Sequence, residues 1–168
     1  MKKLVLIAVF AVFGITASNA QGFNVGASAA IPSGDFDDFY GFGVVLDASY
    51  LFPINDVFHV GPASGVMHYF GKDSEQTIAG VTVSVEADDA TFIPVAGEAR
   101  FYLEQFFFGA HLGYGLGVSD GFDGGFYYRP GVGYMFTETV GAAVSYSGIS
   151  GDGATFNSIN AGITFSFQ

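Results

Sequence analysis

Phe106-Phe107-Phe108-Gly109-Ala110-His111-Leu112-Gly113-Tyr114-Gly115-Leu116-Gly117-Val118 is the stretch that decides the fold. In an extended chain, Phe106, Phe108, Ala110, Leu112, Tyr114, Leu116 and Val118 fall on one face. Phe107, Gly109, His111, Gly113, Gly115 and Gly117 fall on the other. Strict period-two alternation is the mark of a strand with one apolar face. The run is also as long as a tilted strand needs to cross a bilayer, about 9–11 residues.

The pattern recurs on both sides of that stretch. Phe42, Val44, Leu46, Ala48, Tyr50 and Phe52 oppose Gly43, Asp47 and Ser49, and Ile93, Val95, Ala99, Phe101 and Leu103 oppose Ala96, Glu98, Arg100 and Tyr102. Phe126, Tyr128, Val132, Tyr134 and Phe136 oppose Tyr127, Arg129, Gly131 and Gly133. Val140, Ala142, Val144 and Tyr146 alternate with glycine, alanine and serine, and Ile159, Ala161, Ile163, Phe165 and Phe167 oppose Ser158, Asn160, Gly162, Thr164 and Ser166. Residues 23–31 alternate with small residues, and residues 57–70 complete a set of eight. Pro62 and Pro130 each remove a ladder donor, which predicts a bulge or distortion there.

The connections alternate in length. Residues 53–56, 104–105 and 137–139 are tight turns, whereas 32–41, 71–90, 119–125 and 149–153 are longer and rich in Gly, Asp and Ser. Short periplasmic turns and longer outer loops, with both termini inside, are the rule for outer-membrane barrels. The expected fold is all-β, an eight-stranded antiparallel up-and-down transmembrane β-barrel formed by residues 21–168.

At the N-terminus, Lys2 and Lys3 precede an apolar run over residues 4–13, and Ser18-Asn19-Ala20 offers small residues to a signal peptidase. The run is too short for a membrane helix, which takes roughly 20 residues. Residues 1–20 therefore read as a signal peptide removed on export. The chain has no cysteine, so neither a lipid-carrying cysteine nor a disulfide framework is available. Loss of Lys2 and Lys3 takes the formal charge from −11 to −13, leaving Lys72, Arg100 and Arg129 against 16 acidic residues. Such a surface excludes nucleic-acid binding, which needs clustered cations. The structural rival is a soluble, lipocalin-like periplasmic barrel with the apolar face turned inward. The sparse charge of the other face argues against it, as does the bulk of the Phe, Tyr and Leu set. An eight-stranded interior is only just wide enough for side chains, and glycines with a few polar groups fit it better.

Phe92-Ile93-Pro94-Val95 running into Ala99-Arg100-Phe101-Tyr102, Gly109-Ala110-His111-Leu112-Gly113-Tyr114-Gly115, and Gly131-Val132-Gly133-Tyr134 carry a family resemblance. Over essentially all of residues 22–168 the chain resembles the small outer-membrane β-barrel proteins, the family of OmpX, the OmpA membrane domain and OmpW (porin-family β-barrel domains). The resemblance implies residence in the outer membrane of a Gram-negative bacterium, among its lipids, after delivery by the barrel-assembly machinery. The last strand is similar to the insertion signal of such barrels, with Phe165 and Phe167 as its aromatic end, although here Gln168 follows. These motifs are architectural and specify no activity.

Five ionisable residues fall on the inward face: Asp47, Glu98, Arg100, His111 and Arg129. In a narrow lumen an unpaired charge is costly, so these groups are expected to pair as an ionic network. The network reads as a structural plug, with a proton or ion pathway as the alternative. Most of the acid lies in the longer loops, with Lys72 as the one fixed counter-charge. Asp35, Asp37 and Asp38 are the candidates for a divalent-metal site, but no segment has the spacing of a calcium loop, so a diffuse acidic cap is expected. No cofactor is implied: Gly113-Tyr114-Gly115-Leu116-Gly117 precedes no helix, and its glycines alternate inward. His59, His68 and His111 have many serines around them, and Gly117-Val118-Ser119-Asp120-Gly121 has the Gly-x-Ser-x-Gly spacing, yet no helix follows it as a nucleophile elbow requires. The expectation is a non-enzymatic outer-membrane barrel with a largely plugged lumen and acidic outer loops, serving envelope structure or surface interaction. The alternatives are a narrow conduit for small or hydrophobic solutes and a lipid-modifying enzyme. A continuous apolar inner wall would mark the conduit. A Ser and a His at one height near the outer rim would mark the enzyme.

Overall fold

The computed structural model describes residues 22–34, 36–78, 81–86, 88–119, 121–151 and 154–167, with residues 73–78 and 81–86 described by their backbone. The expected signal peptide, residues 1–20, lies outside the described residues.

Alternation becomes strand wherever the sequence shows it. The wall consists of β1 (Phe23–Ser33), β2 (Tyr40–Tyr50), β4 (Phe58–Gly71), β7 (Ala90–Leu103), β8 (Phe106–Gly117), β9 (Gly124–Met135), β10 (Val140–Ser150) and β11 (Thr155–Phe167). The two-residue β3 (Phe52–Pro53) extends the β2 edge, and β5 (Asp73–Ile78) with β6 (Val81–Glu86) forms a separate hairpin. Wall neighbours in sequence are neighbours in space, all antiparallel, and β1 pairs with both β2 and β11. The additional β2–β4 ladder completes a closed eight-stranded barrel.

The burial of the wall is inverted relative to a soluble protein. Leu112, Val95, Val144 and Ile163 are exposed, whereas Glu98, Arg100, Ser158 and Asn160 are buried. Such a surface is stable only where the surrounding medium is itself apolar. The soluble rival required the opposite phase, and the fold is that of a transmembrane barrel.

Prolines interrupt ladders here without shifting register. The β2 ladder with β4 ends at Ser49↔Ala63 and resumes through β3 at Phe52↔Val60, leaving a gap opposite Pro62. Between β9 and β10 the gap falls at Pro130, between Gly131↔Ser145 and Tyr128↔Gly148. Pro94 does the same between β4 and β7. In each case the ladder on the proline's other side continues, since only one neighbour faces the missing N–H. Of the bulge or distortion expected at Pro62 and Pro130, the distortion forms, as an interrupted ladder without a bulge. The one register shift of the β2–β4 ladder lies at Tyr40/Phe42. It allows Tyr40 and Gly43 both to turn inward.

The tight turns are closed by local bonds. Asn55 Oδ1 accepts from the Val57 and Phe58 amides, and Thr137 Oγ1 accepts from those of Thr139 and Val140. Glu104 adopts a φ of 56° in the two-residue β7–β8 turn, and the Tyr134 hydroxyl donates to Gln105 across it. On the opposite end two loop expectations need correction. β10 and β11 run further than expected, pairing Ile149 with Phe156, and Gly151 N–H closes on the Ala154 carbonyl, so this connection is short. The long 71–90 connection holds a hairpin that the sequence reading did not anticipate, residues 81–86 pairing with residues 73–78.

The interior is also fuller than expected. Tyr69, Phe92, Tyr127 and Phe156 are buried with Tyr40 and Ile149 in one cluster at the loop end, and Phe107 is buried at the other end. Inward glycines make the room. A Cβ on Gly43 would lie 2.5 Å from the Tyr69 ring, and one on Gly133 would lie 2.1 Å from the Phe107 ring.

Candidate functional site

The five inward ionisable residues meet in two clusters. Glu98, on β7, accepts from Arg100 Nε at 2.8 Å and Nη2 at 2.6 Å through Oε1. Its other oxygen, Oε2, lies 3.1 Å from His111 Nε2 on β8. Glu98 and His111 are ladder partners, as are His111 and Arg129. The Arg100 guanidinium lies over the Phe107 ring, 4.7 Å from its centroid, and its Nη1 reaches Asn24 Oδ1 on β1 at 3.1 Å. Asn24 Oδ1 also accepts from Ser166 Oγ at 2.5 Å.

The second cluster spans the barrel. Arg129 Nη1 donates to Asp47 Oδ1 at 2.8 Å. In the ring of wall strands, β9 and β2 stand opposite one another. Arg129 Nε donates to Ser145 Oγ at 2.9 Å, and from there a hydrogen-bonded track of serine and asparagine climbs β10 and β11. Asn160 Nδ2 donates to Ser147 Oγ at 3.0 Å, Ser147 bonds Ser158 at 2.9 Å, and Ser158 meets the Tyr69 hydroxyl at 2.7 Å. The sequence places Ser145, Ser147, Ser158 and Asn160 on the inner face but gives them no part in the site, and it assigns Tyr69 to neither face. Their signal was polarity in phase with the charged residues.

Free space follows the same division. Around the belt, among Asp47, Glu98, Arg100, His111 and Arg129, a cavity of about 50 Å³ remains, room for a few waters at most. Wider hollows flank it, about 280 Å³ at the loop end beside Phe36, Phe122 and Phe156, and about 390 Å³ at the turn end beside Leu51, His59 and Tyr102.

Other sequence candidates are scattered. Asp37 and Asp38 are exposed, Asp35 lies outside the described residues, and among the described residues no three acidic or histidine side chains converge as metal ligands. Asp120 and Asp152 of the longer loops are also outside the described residues. Phe167 is stacked on Phe23 of the first strand, centroids 6.3 Å apart, and Phe165 pairs with Val25 on the same outer face; Gln168 is outside the described residues. At the loop-end rim, His68 Nδ1 is 2.8 Å from Thr91 Oγ1 and its Nε2 is 3.6 Å from Asp89. Asp89 also accepts from the Gly71 amide at 3.0 Å, so this group fastens the ends of β4 and β7 together.

No family model matches the chain, and no curated protein matches it. Solved structures do. Ail, the attachment invasion locus protein of Yersinia pestis, aligns with a TM-score of 0.56 at 14% identity, covering 88% of this chain and 99% of that one. The N-terminal β-barrel domain of Pseudomonas aeruginosa OprF aligns at 0.54 with 17% identity, over 88% and 98%. Neisserial surface protein A aligns at 0.53 with 21% identity, over 88% and 98%. At such identities the likeness speaks for the fold, and the chain is built as these small eight-stranded outer-membrane barrels are, in keeping with its resemblance to OmpX and the OmpA membrane domain.

Proposed function

We propose that this chain is an exported, non-enzymatic protein of the bacterial outer membrane, closed through its middle, whose acidic loop end serves envelope structure or surface interaction. The observation that carries this reading is the Arg129–Asp47 bond between opposite walls, with about 50 Å³ of free space around it. A hydrophobic solute would have to pass the buried ion pairs of the belt, so the conduit reading lacks the continuous apolar wall it needs. The lipid-modifying reading would rest on His68 and Ser119, which lie at the height of Thr91. The Ser119 hydroxyl accepts from the Thr91 amide at 3.0 Å while His68 meets the Thr91 hydroxyl and Asp89, so the contacts of both are accounted for by fastening strand ends. Export with loss of residues 1–20, delivery by the barrel-assembly machinery and residence among outer-membrane lipids belong to the same proposal. The inverted wall supports them, as does the likeness to outer-membrane barrels.

Conductance of the refolded protein in a planar bilayer tests the closure. The native chain holds a closed baseline, and the double variant Asp47→Ala with Arg129→Ala, which removes the strut while keeping the belt neutral, opens steady conductance. A native barrel that conducts as well as the double variant would put the conduit reading first.

A further inference from the structure

The loop end of the barrel holds a feature that closure of the lumen does not require. Phe36, between β1 and β2, and Phe122, between β8 and β9, come from loops yet fold back over the mouth. Phe122 is brought in by its flanks, since Gly121 and Gly124 both take left-handed conformations, with φ of 87° and 92°. A Cβ on Gly124 would lie 2.1 Å from the Gly115 carbonyl oxygen, so this close approach also needs glycine. Phe36 stacks on Phe156 at 5.0 Å, and Phe122 meets Phe92 edge-on at 5.2 Å. The cavity of about 280 Å³ lies against these four rings, with Ile149 below and Asp123 at its edge.

The charge around this cup is mostly negative among the described residues. Asp37, Asp38, Asp88, Asp89 and Asp123 are exposed at this end. Asp88 and Asp89 act electrostatically on Tyr40, whose ring packs against Phe156 at 5.2 Å. Lys72 opposes them, donating to the Asp37 carbonyl at 2.8 Å. Aromatic faces attract cations, most strongly where water is excluded, and a carboxylate rim raises the local concentration of cations. An apolar cavity of roughly 150 Å³ already accepts benzene, so this one has room for a ring bearing a substituted ammonium group. From these observations we infer that the loop-end cup is a binding site for organic cations with an apolar body, of the aryl- or alkylammonium class. The site lies on the loop side of the belt and stands whether or not the lumen conducts.

Calorimetric titration of benzyltrimethylammonium into the refolded full-length protein in an uncharged maltoside detergent tests this directly. Its neutral isostere neopentylbenzene is the control. Native protein takes up the cation saturably, and raising the salt concentration weakens binding. The isostere binds at least about tenfold more weakly. Phe122→Leu keeps apolar volume but removes a π face, and lowers cation affinity about tenfold. Asp123→Asn lowers it less and blunts the salt effect. Phe122 is a partly exposed loop residue, so its variant is expected to keep the barrel, and far-UV circular dichroism checks that it does; Phe36→Leu gives an independent reading of the same wall. Equal saturable binding of cation and isostere overturns the inference, because the cup is then simply apolar. Unchanged affinity in both leucine variants, or no saturable cation uptake below about 10 mM, overturns it as well.

Discussion

Arg129 and Asp47 face each other across the full width of the barrel, and their 2.8 Å bond joins walls that share no ladder. Glu98 is held differently, by Arg100 two residues along its own strand and by His111 on the next. Both acids sit where water is scarce, so removing one partner leaves the other charge uncompensated. Glu98→Ala or Asp47→Ala is expected to destabilise the barrel by roughly 3–5 kcal/mol, while Asp38→Ala, on an exposed loop, stays within about 0.5 kcal/mol. Denaturant unfolding in lipid vesicles measures both, and equal silence would mean that the belt is hydrated.

The lipid-facing reading of the outer surface has its own test. Leu112 is 60% exposed on β8, and Leu112→Arg should cost about 2–4 kcal/mol if it lies near the bilayer midplane. On a water-facing surface the same change would cost almost nothing.

Inward glycines should not be equivalent. A Cβ at Gly133 would lie 2.1 Å from the Phe107 ring and 2.8 Å from the Ala142 carbonyl oxygen. Gly133→Ala is therefore expected to lower stability by about 1–3 kcal/mol through overpacking. At Gly109 the nearest atom to such a Cβ is 3.8 Å away, Glu98 Oε1, and Gly109→Ala should be tolerated within about 0.5 kcal/mol. Thermal unfolding of the two variants side by side decides the point.

Orientation and export can be checked together, because the chain contains no cysteine to interfere. Single cysteines at Asp38 and Asp123 should react with an impermeant reagent on intact cells, and one at Asn55 should not. Mature protein from the outer-membrane fraction should begin at Gln21. The opposite labelling would invert the barrel, and a retained Met1 would remove the signal peptide.

Most of the fold was legible because a membrane barrel states its two environments in alternate residues. Residues 106–118 alone give strand, phase and span, and the inward phase assembled all five belt residues. What stayed hidden was whatever depends on shape rather than polarity. Tyr69, Phe92, Tyr127 and Phe156 share the inward phase, yet their residence depends on space left by glycines on neighbouring strands, such as Gly43 beside Tyr69. Phases likewise could not say which acid each arginine takes, since Arg129 takes its acid from the opposite wall. Pro62 did mark a disturbance, but composition alone cannot tell an interrupted ladder from a bulge.

Asn24 stands at the seam where the first and last strands meet, taking a bond from Ser166 at a separation of 142 residues and another from Arg100 on β7. Those donors enter the structure at very different times during synthesis. A chain lacking β11 exposes the Asn24 carbonyl side, and Arg100 loses the companion that fixes their shared acceptor. The Asn24 acceptor thus has both of its donors only when the ring is complete. A partly inserted sheet would offer these unsatisfied groups to lipid, so the interior chemistry itself discourages intermediates that stop short of the final strand.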